Sequence, residues 1–354
     1  NIIRACDYCM RWMDESRDES LRNRGYGMLQ GKCADCEDNY RDYMLNVMTY
    51  GGMRSVAEAL MDIDPVEGKR IGEAAEEFGK NIMDSLTESF AVAPVIPLSD
   101  GSWCPSVSQW PDRNMLGLES LFALGGYAYT HGSMVISDNR VGGGIYNTIY
   151  GLFEPEHPYA RFIDNCIAEM LSIDNVGFSQ PYYTPHPYNN LKLGEVGSFL
   201  REFYNNMAAL ADRETYTFWE HYFQVSPHKT HEEGWFLNRC IWMLFFDDFG
   251  KLELLRGVPR VWLEDSKTIY CEGMGTRFGK MSMKIDSCLV ENKIKATISL
   301  ERNESPDPET VTIRLPHPLG CKASSVKGGT YDKDTEIITI TGFTGGTVSV
   351  ELRF

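Results

Sequence analysis

Residues 213–235 hold the densest group of side chains that can take part in acid–base chemistry. The stretch RETYTFWEHYFQVSPHKTHEEGW contains four glutamates and three histidines, and it ends just before the character of the sequence changes. Carboxylates and imidazoles are the groups that most often move protons near neutral pH. We therefore take Glu220 and Glu232 as candidate catalytic carboxylates. The histidines lack the HExxH spacing of a helical metal site.

The same stretch is rich in aromatic side chains, which suits a carbohydrate ligand. A pyranose has one apolar face that stacks on an indole, and a rim of hydroxyl groups that needs polar partners. Trp219 and Trp235 are the candidate stacking platforms, and His221 and His231 are the candidate polar contacts. The alternative is a structural connection whose aromatic residues belong to the core and whose glutamates are solvated.

A second acidic cluster lies early in the chain, at residues 35–42. Asp35, Glu37, Asp38 and Asp42 surround Arg41. Neighbouring carboxylates repel one another, which raises the pKa of at least one, as a general acid requires. We assign that role to Glu37 or Asp35 and substrate contact to Arg41. The alternative is a helix start stabilised by the helix dipole and by an ion pair between Glu37 and Arg41.

A third candidate is the loop YYTPHPY at residues 182–188. Its prolines limit backbone motion, so its rings are held in place. Tyr183 and His186 are candidate contacts of a sugar subsite, and the alternative is a well-packed proline loop.

The hydrophobic pattern divides the chain near residue 250. Upstream, apolar residues recur at helical spacing, and downstream they alternate as in strands, for example at Ile294, Ala296, Ile298 and Leu300. We predict a mainly α fold with a β domain: a helical domain over 1–250 and an antiparallel β-sandwich over 251–354. Helices are predicted at 2–23, 39–50, 53–61, 66–90, 195–210 and 232–246, with a β-hairpin turn at Asp100-Gly101.

Composition excludes some functions and leaves others open. The chain has 354 residues and a formal net charge of −16, which argues against nucleic-acid binding and against docking on anionic lipid. No apolar run approaches the roughly 18 to 20 residues of a membrane span. The pairs Cys6-x-x-Cys9 and Cys33-x-x-Cys36 have the spacing of a zinc site, but we favour packing for these thiols. We predict no cofactor.

Three segments resemble a known family. ADCEDNYRDY, the stretch from RETYTFWE to NRCIWML, and LRGVPRVWLEDSKTI with its strand-rich tail look like bacterial six-hairpin glycosidases of the α-L-rhamnosidase kind. In that family a WE pair after a threonine-rich run carries the general base, which TYTFWE resembles with Trp219 and Glu220. By the same resemblance, His231 would contact the sugar and Glu37 would be the general acid.

The resemblance implies an (α/α)6 barrel followed by a β-sandwich, and a hydrolase that inverts the anomeric centre of a plant or host oligo- or polysaccharide. It also implies a periplasmic or secreted protein. Because a full barrel needs twelve helices and the sequence predicts about eight, we expect the remaining hairpins to precede Asn1, in an N-terminal fragment or domain of the same protein.

Two other functions stay open at this point. A polysaccharide lyase on the same toroid would use Tyr222 with His221 or His228 to remove a proton beside a uronate carboxylate. A non-catalytic glycan-binding protein would keep the fold and lack the acid.

Overall fold

The structure is a computed structural model that describes residues 1–31, 40–111, 144, 146–170, 172–173, 176–177, 187–220, 227–247 and 250–354. The chain forms two compact units. The helical unit comprises Asn1–Asn189 and Arg201–Trp235, and the sheet unit comprises Asn190–Leu200 and Phe236–Phe354. Helices and antiparallel-rich sheets therefore occur together in this fold, as the sequence pattern predicts.

The described residues form eight α-helices. They are α1 (Ile2–Glu15), α2 (Tyr43–Met61), α3 (Pro65–Val92), α4 (Tyr146–Ile149), α5 (Pro158–Met170), α6 (Pro187–Lys192), α7 (Val196–Leu210) and α8 (Thr230–Leu244). Short 3-10 helices lie at Glu19–Leu21, Arg260–Leu263 and Leu289–Glu291. The predicted helix at 2–23 is too long, because the backbone turns after Glu15 and Asp18 caps a separate 3-10 turn through the N–H of Ser20.

Helices α2 and α3 pack closely against each other. Asp42 caps α2 by accepting hydrogen bonds from the N–H groups of Met44 and Leu45, at 2.8 and 3.3 Å. Asp64 caps α3, and Pro65 occupies its first position, where a missing N–H costs nothing. The two predicted helices at 39–50 and 53–61 are one continuous helix, since Gly51 and Gly52 remain helical.

Several short strands interrupt the helices. They are β1 (Val95–Pro97) with β2 (Trp103–Pro105), β3 (Ser172–Ile173) with β4 (Val176–Gly177), and β5 (Ala211–Asp212) with β6 (Thr217–Phe218), each pair antiparallel. The predicted hairpin turn at Asp100-Gly101 lies between β1 and β2. Gly101 has a φ of 85° there, a conformation that favours glycine.

The C-terminal strands form two five-stranded sheets. The strands are β7 (Phe245–Phe246), β8 (Lys251–Leu254), β9 (Thr268–Thr276), β10 (Gly279–Cys288), β11 (Lys293–Arg302), β12 (Thr310–Arg314), β13 (Ser325–Lys327), β14 (Thr330–Asp332), β15 (Ile337–Ile340) and β16 (Gly346–Arg353). One sheet has the order β13-β16-β11-β10-β9 and the other has the order β14-β15-β12-β8-β7.

Alternating side chains give these sheets a common core. Strand β11 buries every second residue, including Ile294, Ala296 and Ile298, as its sequence predicts. Residues of both sheets belong to one buried cluster. The expectation of purely antiparallel pairing is wrong at one place, because β8 runs parallel to β12. Strand β8 is joined to β12 through the whole of the other sheet's β9–β11 meander, a connection long enough for parallel pairing.

No helix in the described part of the chain combines the length and the hydrophobicity that a membrane-spanning helix needs.

Gly51 and Gly52, which are adjacent in α2, provide a test of how closely Tyr150 packs against this helix. A Cβ added at Gly51 would lie 2.4 Å from the Cγ of Tyr150 and 2.6 Å from its Cβ, so rotating the ring would not relieve the overlap. At Gly52 no atom lies within 4 Å of an added Cβ. We predict that Gly51→Ala destabilises the protein by about 1–3 kcal/mol through overpacking, whereas Gly52→Ala stabilises it by about 0.5–1 kcal/mol through helix propensity.

Urea unfolding followed by circular dichroism measures both changes in the free energy of unfolding. Equal shifts for the two variants would contradict the close approach of Tyr150 to α2.

Candidate active site

A small hairpin holds the first candidate carboxylate. Strands β5 and β6 pair between Ala211–Asp212 and Thr217–Phe218, and the carboxylate of Asp212 accepts hydrogen bonds from the N–H groups of Glu214 and Thr215 at 2.8 and 3.2 Å. These backbone donors lower the pKa of Asp212. The N–H of Trp219 then donates to Leu210 O at 3.0 Å, which extends the hairpin up to Glu220.

Glu220 is buried and forms an ion pair. Only 6 % of the surface of Glu220 is exposed, and its Oε1 lies 2.8 Å from Nζ of Lys229. The backbone N–H of Lys229 donates to Phe218 O at 3.1 Å, so the lysine is fixed to the hairpin at both its main chain and its side chain. A nearby ammonium group favours the ionised form of a carboxylate, which is the form that a general base requires.

The second candidate carboxylate, Glu232, is the third residue of the helix that follows, α8. It is fully buried, and its Oε1 lies 3.2 Å from Nε2 of His231. Glu232 and Glu233 occupy the first turn of α8, where the helix dipole favours negative charge. The described part of the segment thus contains two separate contacts, Glu220 with Lys229 and Glu232 with His231. Residues 221–226 lie outside the described residues.

The candidate aromatic platforms are less exposed than a stacking surface needs to be. Trp219 is half-buried, and Trp235 is half-buried against the core of the helical unit. Tyr216 is instead 91 % exposed at the hairpin turn, with a φ of 58°. Sequence reasoning missed Tyr216 because its residue type suits core and surface equally. The predicted contacts His221, Tyr183 and His186 lie outside the described residues.

The acidic segment near the N-terminus is described only at its end. Asp35 and Glu37 lie outside the described residues, and so does the expected ion pair between Glu37 and Arg41. Arg41 is half-buried, with its Cδ close to Gly25. Asp42, which belongs to the same predicted cluster, is the cap of α2, so the helix-start alternative holds for that residue.

One buried polar residue beside this segment was not predicted. Gln109 is fully buried, and neither Oε1 nor Nε2 has a hydrogen-bond partner among the described residues. The backbone carbonyl of Gln109 accepts a hydrogen bond from the N–H of Tyr43 at 2.9 Å. The neighbouring Trp110 stacks on Tyr40, with 4.3 Å between the ring centroids. The segments 40–43 and 109–110 therefore lie together. A single glutamine in a sequence carries no signal from which this position could be found.

The structure describes only the first of the two cysteine pairs, Cys6 and Cys9. Cys6 is buried, Cys9 is half-buried, and both thiols are free. Burial raises the pKa of each thiol, which disfavours the thiolate form that binds zinc. Cys33 and Cys36 lie outside the described residues. Within the described part of the chain no group of three or more His, Cys, Asp or Glu side chains is arranged to hold a metal ion.

Two comparisons with known proteins found no relative of this chain. No protein-family model matches the sequence, and a search of curated proteins finds no significant match.

The ion pair of Glu220 has a testable asymmetry. Removing the lysine leaves a buried carboxylate without this counter-charge, whereas removing the carboxylate's charge leaves a partly exposed lysine that can turn to water. We predict that Lys229→Met lowers the free energy of unfolding by about 1–3 kcal/mol, and that Glu220→Gln lowers it by less. Urea titrations of both variants measure the two values.

Lys80→Met is the matched control, because Lys80 is exposed on α3. Its stability should change by less than about 0.5 kcal/mol. A Lys229→Met variant as stable as this control would contradict the ion pair as a determinant of the site.

Proposed function

We propose that the chain is a glycoside hydrolase in which Glu220 is the general base and Glu37 or Asp35 is the general acid. The observation that carries the proposal is the buried carboxylate of Glu220 held 2.8 Å from Lys229. A general base must be ionised before it can accept a proton. An ammonium group at this distance favours that form, whereas burial of the carboxylate opposes it.

The setting of Glu220 supports a carbohydrate substrate. Tyr216 presents an exposed ring on the same hairpin, and an aromatic face of this kind can stack on a pyranose. His231 lies two residues after Lys229, and its side chain is 30 % exposed, so it offers a hydrogen-bonding group for sugar hydroxyls. Such a site needs carboxylates alone for hydrolysis, so the proposed chemistry requires no cofactor.

The finer architecture belongs to the same proposal. We take the helical unit as part of an (α/α)6 barrel, with the antiparallel contact of helices α2 and α3 as one of its hairpins. We take the two five-stranded sheets, which share one buried cluster, as a β-sandwich. A periplasmic or secreted location and an oligo- or polysaccharide substrate follow from the resemblance described above.

No observation on the described residues favours the lyase. Its proposed Tyr222 and His221 lie outside the described residues. His228, the third candidate, is exposed and has a φ of 60° at the turn before α8. We therefore keep the lyase and the glycan-binding protein as alternative outcomes of the experiment.

The test compares two glutamates of one hairpin. The purified chain is assayed on a panel of aryl glycosides and plant and host polysaccharides, and the best substrate is used for variants. We predict that Glu220→Gln lowers kcat at least about 100-fold, as expected for the loss of an acid–base catalyst. Glu214→Gln, an exposed position on the same hairpin, should keep kcat within about twofold of the unchanged protein.

Three results would contradict the proposal. Near-normal activity of a folded Glu220→Gln variant would remove Glu220 from the mechanism. Formation of an unsaturated, ultraviolet-absorbing product would point to the lyase. Saturable binding of a glycan without turnover of any substrate would point to the binding protein.

A further inference from the structure

The sheet unit contains a pocket of about 900 Å³ that none of the predicted site residues lines. Its walls come from the connection between α6 and α7, from the turn after β8, from the end of β12 and from the turn before β15. The basic residues of the wall are Lys192, Arg256, Arg260 and Arg314. A cluster of this kind is unexpected on a chain whose formal net charge is −16.

Two arginines and a lysine share the carboxylate of Glu336. Arg260 binds it through two hydrogen bonds of 2.9 and 2.6 Å, and its guanidinium also donates to His317 O at 2.8 Å. Nη2 of Arg314 lies 3.7 Å from the same carboxylate, and Nζ of Lys322 lies 3.7 Å from it. The positive charge around this buried carboxylate therefore exceeds its single negative charge.

Arg314 is the cation with the least access to water. Its side chain is 9 % exposed, and one of its N–H groups donates to Val258 O at 3.1 Å. Burial, opposed by Glu336 and assisted by the positive charges of Arg260 and Arg256, lowers the pKa of Arg314 to about 10. An additional anion in the pocket would stabilise this guanidinium.

Arg256 is held in place before any ligand arrives. Its Nη2 donates to Leu191 O at 3.0 Å and to Lys192 O at 2.8 Å, the last carbonyls of α6. Nζ of Lys192 is in turn 2.7 Å from Glu253. Because the guanidinium is already immobilised, little side-chain entropy remains to be lost on binding.

The backbone around the pocket is strained on two sides. Leu255, next to Arg256, has a φ of 56°, and Glu336 has a φ of 61°. Both are buried non-glycine residues in the left-handed region, which is unfavourable for residues with a Cβ and tends to occur at functional sites. At Glu336 the strain is offset by the bidentate contact with Arg260.

The start of α7 adds a further positive potential. Val196, Gly197 and Ser198 line the pocket and begin a helix of 15 residues. The first N–H groups of a helix have no acceptor within it and attract anions. Carboxylates are also present in the wall, since Glu195 and Asp334 line it, but Asp334 is exposed to solvent.

We propose that this pocket binds a small molecule through a carboxylate, phosphate or sulfate group placed between Arg260, Arg314 and the first turn of α7. Planar guanidinium groups bind such oxyanions through paired hydrogen bonds. The volume exceeds that of a free ion and suits a ligand of roughly one or two sugar rings. Glu336 occupies the cluster as an internal anion, and the ligand competes with it. The proposal is independent of the hydrolase activity.

Isothermal titration calorimetry tests the pocket on the full chain. Sodium phosphate, sulfate and glucuronate are titrated at constant ionic strength, with glucose as the neutral probe, and the tightest of the three identifies the group the pocket takes. We expect saturable binding of at least one oxyanion and none of glucose. Arg260→Gln should weaken that binding at least about tenfold, because a charge-assisted, bidentate contact with the oxyanion is lost.

Two further variants keep the result interpretable. Arg353→Gln is the matched control, because Arg353 is also a partly exposed, ion-paired arginine of the sheet unit and does not line the pocket. Its affinity should stay within about twofold of the unchanged protein. Glu336→Gln removes the competing charge and should tighten binding. Absence of binding by all three oxyanions, or equal losses in Arg260→Gln and Arg353→Gln, would overturn the proposal.

Discussion

A carboxylate that leaves water on folding must keep an opposite charge or hydrogen-bond donors close to it, and Glu220 meets this constraint through Lys229. The pair joins the end of a hairpin to the residue before α8, with 2.8 Å between the charged atoms. Because Lys229 is also bonded through its backbone to Phe218, the hairpin and the helix start have one fixed relation. His231 and Glu232 follow from that helix start, so the described part of the candidate site depends on the ion pair between Glu220 and Lys229.

The same constraint governs the sheet unit, but with a different charge balance. There a buried carboxylate, Glu336, faces more than one cation, and the surplus is positive. A single pair such as Glu220 with Lys229 suits a carboxylate that must be ionised before it accepts a proton. An unbalanced cluster suits the capture of an external counter-charge. Each unit thus carries a polar site whose charge balance fits a different kind of ligand chemistry.

Local patterns in the sequence predicted the elements better than they predicted the sites. The alternation from Ile294 to Leu300 predicted β11, and Asp100-Gly101 predicted the hairpin. Helical spacing predicted α3 and α7. Each of these signals involves residues that are close in the sequence. Tyr150 packs against Gly51 in the middle of α2, a contact between distant parts of the chain. Propensity has no information about such contacts.

The sites required still longer-range information. Glu220 was a candidate because of its residue type and its resemblance to a catalytic motif. No spacing in the sequence, however, indicated that Lys229 is its partner. Arg260, Arg314 and Glu336 come from three separate parts of the sequence, and no spacing indicates that they meet. Their proximity follows from the sheet order, which places β12 beside both β8 and β15 and which alternation alone does not determine.

The stereochemistry of hydrolysis tests the central claim most directly. In an inverting glycosidase the base activates a water molecule on the ring face opposite the leaving group, with the two carboxyl groups roughly 6.5–9.5 Å apart. Proton NMR of the first product formed from the best aryl glycoside, recorded before mutarotation, reports the configuration of the new anomeric centre. Our account predicts the anomer opposite to that of the substrate. A first product with the substrate's own configuration would contradict Glu220 as a base acting on water.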